Sequence, residues 1–597
     1  MDADLTVPAE KSVLDGRLSL TGRRWIWRTG EARVGLGIAQ RLDLPEIVGR
    51  LLAARDVDIE RAADFLEPTL RALLPDPSTL LDMDVAAERI AAAVRRRETV
   101  AVFGDYDVDG ACRSALMITL LRGLGCPVLF HVPDRIAEGY GPNAPALRDL
   151  VARGATLIVC VDCGTAADVA LASVHNQADI IVLDHHKAEG AAPPIAATVN
   201  PNRLGCLSGM TMLCATAVAF LTAIAVVRTL RRTGHFVAVA APDLLAMLDM
   251  VALATICDVM PLVGLNRAFV TQGLKVMARR ARPGIAALLD VAEVKDRLNA
   301  ATCGFALGPR INAAGRISEA NLGLRLLLCE DELEARSLAV TLNGINRQRQ
   351  DVEAGMLDDA MAQAEAQSAA GRAVLVVHGT GWHPGVVGIV AGRIKERFNR
   401  PACVAAITDG DARGSARSVP GHDLGSAVIA ARQHGFLASG GGHAMAAGFA
   451  LSADRLKDFA DFLNERLKTA ADLPSAPDLA IESALSVPGA TIELAQHVNR
   501  LAPFGHGNSE PIFVLQHARV VRADRIGRDG NTIRAYVEGE GGGPRLKAML
   551  FRAREGAMAD ALMSPDRVNL HLAGHLRAEE WNGNVTACLT LLDAATA

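Results

Sequence analysis

The chain has 597 residues, a formal net charge of -5, 50% hydrophobic residues and only 4% aromatic ones. That apolar content supports several cores and excludes wholesale disorder, and the length divides into about three to five domains of ordinary size. The acidic balance excludes a protein that coats nucleic acid through bulk positive charge, while leaving room for a local basic groove.

Residues 1 to about 85 carry short helical patterns such as LPEIVGRLLAARDV. The start MDADLTVPAE lacks the features of a secretory signal, and the eleven cysteines are scattered. Only Cys160 and Cys163 lie close, with no second such pair to complete a zinc site, so reduced, buried thiols and a cytoplasmic location are expected. From Arg95 the pattern changes. Val100 to Phe103, CPVLFHV, ATLIVCVDCG and DIIVLDHH are brief apolar runs separated by helical sequence. Strands alternating with helices predict a parallel, doubly wound sheet with ligands bound past the carboxyl ends of the strands. Thr211 to Val227 is free of charge over 17 residues. It is short of the ~20 residues of a membrane span and lacks aromatic anchors, so a buried helix is expected.

Between Cys329 and about Gln367, Leu338, Leu342, Ile345, Val352 and Met356 recur at helical spacing among charged positions. This predicts a long helix joining two domains. A second α/β unit follows, with strand-like RAVLVVHG and PACVAAI, helical VVGIVAGRIKERF, and SGGGHAMAAG as a glycine-rich turn before a helix. TAADLPSAPDLAIES is read as a linker. The short runs after about Val487, punctuated by turn signals, predict a small all-β barrel.

Asp105, Asp107 and Asp109 alternate in GDYDVDG. Carboxylates crowded in this way raise one another's pKa unless a cation sits between them, although an acidic turn capping a helix is the ordinary alternative for this segment alone. Asp162 follows LIVCV, Asp184, His185 and His186 follow DIIVL, and Asp258 follows VALATIC, so acids and histidines recur at the ends of successive apolar runs read as strands. Carboxylates mixed with imidazole suit Mn²⁺ or Mg²⁺, and two such ions activate water for phosphoryl displacement. No G-x-S-x-G nucleophile elbow is present.

GDYDVDG, VDCGT, DHH and TICDVMPL resemble the four motifs of the DHH phosphoesterase superfamily. PDRIAEGYG, GPRINAAGR, NRQRQ, WHPGVVGIVAGR, GSARS, GGGHAMAAG, PFGHGNSEPIF and EEWNG resemble segments of its RecJ exonuclease family, in the same order, from about residue 25 to 593. The resemblance implies an N-terminal extension (1–85) packing on the catalytic domain, a DHH catalytic domain (86–328), an interdomain helix (329–367), a DHH-associated domain (368–470) and a C-terminal OB-fold barrel (471–597). It implies a single-stranded-DNA-specific 5′-to-3′ exonuclease of DNA repair and recombination that uses two divalent cations, Mn²⁺ or Mg²⁺.

By the same resemblance Asp107, Asp109, Asp162, His185 and Asp258 are metal ligands, Asp105 ligates or holds the others, and His186 ligates the second ion or contacts the scissile phosphate. Asp184 would orient a histidine through its ring N–H. Arg135, Arg310, Arg316, Arg417, Ser415 and His443 are expected to hold the DNA and its 5′ phosphate, without a choice between Arg310 and Arg316. Trp382 and His383 are expected to shape the cleft between domains. On the barrel, Tyr536, Phe551 and Trp581 with Arg534, Lys547 and Arg552 are candidates for stacking and gripping a strand, the ordinary alternative for each aromatic being a place in the core. The segment ACRSA departs from the family, which commonly has Thr-rich sequence there. Partners implied are single-stranded DNA, a RecQ-type helicase and a single-stranded DNA-binding protein, with no membrane and a monomeric nuclease. The competing activities are a phosphodiesterase for short oligonucleotides or cyclic dinucleotides and a non-catalytic scaffold.

Overall fold

The computed structural model describes residues 12–468 and 476–597, apart from 136, 188–189, 238, 296, 528, 565–568 and 582. The chain divides into two compact units. One holds the residues up to Leu73, Leu262–Arg267 and Pro474–Ala597; the other holds Leu74–Pro261 and Ala268–Leu473.

After strand β1 (Arg24–Trp27) of the first unit, the second unit is built on β2 (Val100–Phe103), β3 (Val128–His131), β4 (Leu157–Val161), β5 (Asp179–Leu183) and β6 (Ala197–Val199). They pair in the order β3-β2-β4-β5-β6, all parallel. Every residue of β2 and β4 is buried, which is why these strands are unbroken apolar runs without polar alternation. The uncharged run becomes the buried helix Ala215–Arg232, and no helix among the described residues is long and apolar enough to cross a membrane. VALATIC, read as a strand, is the helix Leu248–Cys257. Its alanines and lack of glycine breaks support helix as well as strand, and periodicity cannot separate the two in a fully buried segment.

The helix Glu332–Ala369 spans 38 residues, capped by the Asp331 side chain, which accepts from the Glu334 N–H at 2.7 Å. Its buried stripe includes Ala335, Leu338, Leu342, Met356 and Ala360, packed first on helices Pro283–Val291 and Gly308–Ile317 and then on the second sheet. That sheet comprises β7 (Leu375–Thr380), β8 (Ala402–Thr408), β9 (Asp411–Arg417), β10 (Ser439–His443) and β11 (Ala446–Ser452), in the order β10-β11-β9-β8-β7. SGGGHAMAAG is therefore a β-hairpin, and the expected helix start beyond it is absent. Gly440, Gly441 and Gly442 pair with Phe449, Gly448 and Ala447, so glycine here lets backbones approach across a sheet edge.

In the first unit, β12 (Asp478–Ile481) and β13 (Ser483–Leu485) lead to β14 (Phe513–Ile526), β15 (Thr532–Glu538), β16 (Leu546–Leu550), β17 (Asn569–Trp581) and β18 (Asn584–Thr596). Pairings β14–β15, β15–β16, β16–β18, β18–β17 and β17–β14 close into a ring. Of the segment read as 1–85, the described residues up to Leu73 join this unit, which corrects their expected place, while Asp76 and Asp84 meet Arg228 in the catalytic unit as expected. Ile38, Val48, Leu51 and Leu52, on helices Ala32–Leu42 and Glu46–Ala53, share one core with Phe513, Leu515, Ile533, Leu570 and Leu589. β1 pairs in parallel with β12, and Arg55 meets Glu482 at 2.5 Å, both side chains 2% exposed. The apolar stripes of two short helices need a cover, and the barrel core supplies it. Most of the linker read near 469–483 lies outside the described residues or in β12. All eleven cysteines are unpaired, and nine are buried.

Candidate metal centre and basic pocket

β2, β4 and β5 are neighbours, and the sheet order reverses about β2, with β3 on one side and β4 on the other. Loops leaving the carboxyl ends of such strands open a crevice. The β2 loop turns sharply into the helix Val108–Gly123, where Asp107 is the N-cap and accepts from the Gly110 N–H at 2.8 Å. A Cβ at Gly110 would lie 2.4 Å from the Asp105 carbonyl oxygen, so this tight entry requires glycine. Asp162, directly after β4, has φ 67, an unusual left-handed conformation, and its carboxyl lies between Arg113 and the two histidines. Asp258 caps the end of Leu248–Cys257.

These loops bring the predicted acids and histidines together. Ligand atoms of Asp105, Asp107 and Asp162 lie within 4.8 Å of one another, as do those of Asp109, His185 and Asp258, and those of Asp162, His185 and His186. Asp162 Oδ1 is 3.4 Å from His185 Nε2 and 3.6 Å from His186 Nδ1. Asp184 stands behind: its Oδ1 accepts from the His185 and His186 N–H groups and sits 2.8 Å from His186 Nδ1. Asp109 is different. It is 1% exposed, and its oxygens accept from the backbone N–H groups of Ala215 and Thr216 at 3.0 Å and from the Thr216 hydroxyl. It closes the first turn of Ala215–Arg232 as well as facing the cluster.

The cluster suits a divalent cation on its own evidence. Asp105 Oδ1, Asp162 Oδ1 and Asp258 Oδ2 are buried without a hydrogen-bond donor, an arrangement that costs free energy unless a cation is the partner. The donors are oxygen and imidazole nitrogen, the set of Mn²⁺ and Mg²⁺. Burial, then the charges of Asp107 and Asp162, raise the Asp105 carboxyl well above its usual range. Burial, then Asp162 and Asp109, push Asp107 up to about 6. Burial, then Asp109, push Asp258 up to about 8. Burial opposes charge on His185, but Asp162 and Asp258 raise it to about 10.

Ion binding must therefore expel protons. Groups whose pKa is raised hold protons below it, so Mn²⁺ affinity is expected to climb as pH rises from about 6 to about 10, as Asp107, Asp258 and His185 in turn give up their protons more easily. Calorimetry in buffers of different ionisation enthalpy should show proton release; pH-independent affinity with none would refute this account.

Three residues missed in the sequence support the centre. The Asn200 amide donates to the His186 carbonyl at 2.9 Å and the Asn202 amide to that of His185 at 2.6 Å. The Tyr140 hydroxyl donates to the Asp162 carbonyl at 2.5 Å and lies 3.1 Å from His186 Nδ1. TVNPN at the end of β6 and the tyrosine of EGYG were the available signals.

Beside the acids lies a pocket lined by Arg135, Arg316, Ser318 and His383, with one carboxylate, Asp134, also in its wall. Burial, then Arg135, Arg417 and Arg349, lower the Arg316 guanidinium to about 10. Arg417 Nη1 donates to Ser415 Oγ and to the Ala416 carbonyl at 2.9 Å. The Arg135 guanidinium stacks 4.9 Å from the Tyr106 ring centre. Tyr106 separates Asp105 from Asp107 in the chain, so one aromatic residue connects the two sites. Glycines allow this closeness: a Cβ at Gly315 would lie 2.6 Å from the Tyr106 carbonyl oxygen, and one at Gly385 would lie 2.3 Å from that of Arg316.

The structure thus groups Arg135, Arg316 and Arg417. Arg310 turns instead to Asn343 Oδ1 and the Ala306 carbonyl, beside Arg347. His443 is exposed at the end of β10, and Trp382 packs against the core that contains Val377, Val390 and Val404. On the barrel, Arg534 faces Asp524 at 3.5 Å and Lys547 faces Glu579 at 2.8 Å, so both have acidic partners. Tyr536 lies cross-strand between Arg522 and Lys547, Phe551 is half exposed, Arg552 follows it with φ 52, and Trp581 ends β17.

Models of three domain families match the chain: the DHH family N-terminal domain over residues 99–255, the DHHA1 domain over 371–469 and the RecJ OB domain over 481–593. The single-stranded-DNA-specific exonuclease RecJ of Escherichia coli is 36% identical over 558 residues, 91% of this chain and 94% of that one. Its Bacillus subtilis counterpart is 34% identical over 583 residues, 96% of this chain and 71% of that one. A crystal structure of RecJ in complex with Mn²⁺ from Thermus thermophilus superposes with a TM-score of 0.79 at 28% identity, covering 95% of this chain and 78% of that one. The Mg²⁺ complex superposes at 0.74.

Proposed function

Because the chain belongs to the RecJ family of DHH phosphoesterases, we propose that it is a metal-dependent exonuclease specific for single-stranded DNA, hydrolysing phosphodiester bonds from the 5′ end with two divalent ions, Mn²⁺ or Mg²⁺. The observation that carries this reading is the placement of a basic pocket one residue away from a carboxylate–histidine centre within one compact unit.

Asp105, Asp107 and Asp162 would hold one ion, and Asp109, His185 and Asp258 the other. Such ions supply Lewis acidity, activate water and neutralise charge on the phosphate under attack. Asp184 holds His186 in one orientation, and Asn200 and Asn202 fix the backbone of both histidines. Arg316, Arg417 and Arg135 would grip the terminal 5′ phosphate, with Ser415 holding Arg417 in place. A phosphate pinned there leaves only the first linkages of the strand over the acids, which accounts for exonucleolytic cutting and for polarity. Tyr106 would steady the end nucleotide between the two sites. Work beside a helicase and a single-stranded DNA-binding protein in repair and recombination belongs to the same reading.

The test uses single-stranded and duplex oligonucleotides, labelled at either end, with Mn²⁺. Mononucleotides are expected at once from a 5′ label and a shortening ladder from a 3′ label, with duplex resistant. Release from the 3′ end, internal cuts, or duplex degraded equally fast would overturn the proposal. Faster turnover of dinucleotides than of long strands would favour a short-oligonucleotide phosphodiesterase, and binding without cutting would favour a scaffold.

A further inference from the structure

The Thr-poor departure ACRSA places Arg113 on the first turns of the helix Val108–Gly123. Its side chain is fully buried, with Nη2 at 2.8 Å from Asp162 Oδ2 and 3.1 Å from Asp109 Oδ2. Its Nε, Nη1 and Nη2 are all buried without a well-aligned hydrogen-bond acceptor, so its contacts with the two acids are ion pairs. A guanidinium is charged at every pH that proteins meet. Burying one normally gives no advantage over an apolar side chain of similar size, and an interior Arg with most of its donors unused is an expensive choice for packing alone.

Its position shows what it does. Asp162 presents one oxygen to each side: Oδ2 faces Arg113, while Oδ1 faces His185 and His186. Asp109 divides similarly. Oδ2 meets Arg113 and the Ala215 N–H, and Oδ1 the N–H and hydroxyl of Thr216. Asp162, which belongs to two of the three groups of acids and histidines, and Asp109, which belongs to the third, are therefore held from behind by one fixed positive charge.

We propose that Arg113 is a built-in counter-cation of the metal centre, a positioning residue that assembles Asp109 and Asp162 before any ion arrives and weakens the hold on the ions once they bind. This rests on the reading that these acids bind divalent ions. In the ion-free protein Arg113 offsets the repulsion among the clustered carboxylates. With ions bound it is one more positive charge behind their ligands, so it opposes them across a short, poorly screened distance. It also leaves Asp162 a single oxygen, Oδ1, on the histidine side, because Oδ2 faces Arg113.

The experiment compares the full-length wild type with Arg113→Gln and Arg113→Lys at pH 8. Mn²⁺ affinity is measured by electron paramagnetic resonance, and thermal melting in chelator and in Mn²⁺. Gln removes the charge, so Mn²⁺ is expected to bind about tenfold more tightly or better. The same variant should melt lower than wild type without ions and gain more from Mn²⁺. Lys keeps the charge and should bind Mn²⁺ within about threefold of wild type. A Gln variant that folds only when Mn²⁺ is supplied supports the proposal equally. Equal affinities for Gln and Lys, or weaker binding by Gln, would overturn it and leave Arg113 a packing residue, as would failure of both variants to fold with or without ions. A wild type that binds no Mn²⁺ would instead bring down the metal centre itself, a distinct result.

Discussion

Asp162→Asn is expected to slow strand cleavage by about three orders of magnitude or more while leaving single-stranded DNA binding close to wild type. Asp162 has ligand atoms in two of the three clusters of acids and histidines, so losing its charge weakens the ion site it forms with Asp105 and Asp107 and disturbs His185 of the other. Each ion is worth several kcal/mol in the transition state, and about 1.4 kcal/mol is a factor of ten in rate. The substitution preserves shape and leaves Arg113 paired with Asp109, so the fold should survive. Gel-based cleavage and fluorescence anisotropy with the same oligonucleotide separate the two effects. More than a tenth of wild-type activity in this variant would put the chemistry elsewhere. Asp109 makes a poorer probe. Three donors at the head of Ala215–Arg232 depend on it, and each buried donor left unpaired costs about 1–3 kcal/mol, so Asp109→Ala should lose stability along with activity.

The second large effect is expected at Arg316. Arg316→Ala should remove the preference for 5′-phosphorylated over 5′-hydroxyl ends and raise KM about 10- to 100-fold, in line with roughly 1.5–3 kcal/mol for a hydrogen bond to a charged group. kcat should change less, since the acids and histidines are untouched. A structural role and a binding role predict different stabilities. Arg316 is crowded by Arg135, Arg417 and Arg349, which together with burial depress it to about 10, so removing it relieves repulsion in the free protein. Removing it also loses the hydrogen bond that Arg316 Nη1 donates to the Gly385 carbonyl at 3.0 Å, so the melting temperature should stay close to wild type. A marked fall in melting temperature with the end preference intact would show that Arg316 is structural.

Much of the catalytic half was legible because its strands are buried on both faces and end in acids. β2, β4 and β5 read as apolar runs, and Asp105, Asp162 and Asp184 mark where each stops. Asp258 was found for the wrong local reason, since a buried helix and a buried strand share the same composition. β6 is three residues long and carries no periodicity. Asn200, Asn202 and Tyr140 act on backbone carbonyls and on a ring nitrogen, which no sequence pattern announces. Arg310 and Arg316 are equivalent in GPRINAAGR. Their helix turns one toward Asn343 and the other into the pocket, and only geometry separates them. The hairpin of β10 and β11 looked like a turn because four of its residues are glycine, leaving no alternation to read.

The pairing of β1 with β12 joins Arg24 to Asp478, and this sets an order of events during synthesis. Some 450 residues separate the partners, and at ~5–20 residues per second the ribosome needs about 20–90 s to make them. For that time the first strand and the two helices after it have no cover for their apolar faces, while the nuclease half can already close its own core. Aggregation of nascent chains should therefore begin with the amino-terminal segment, and truncations that remove the barrel should turn that segment into a target for chaperones and proteases.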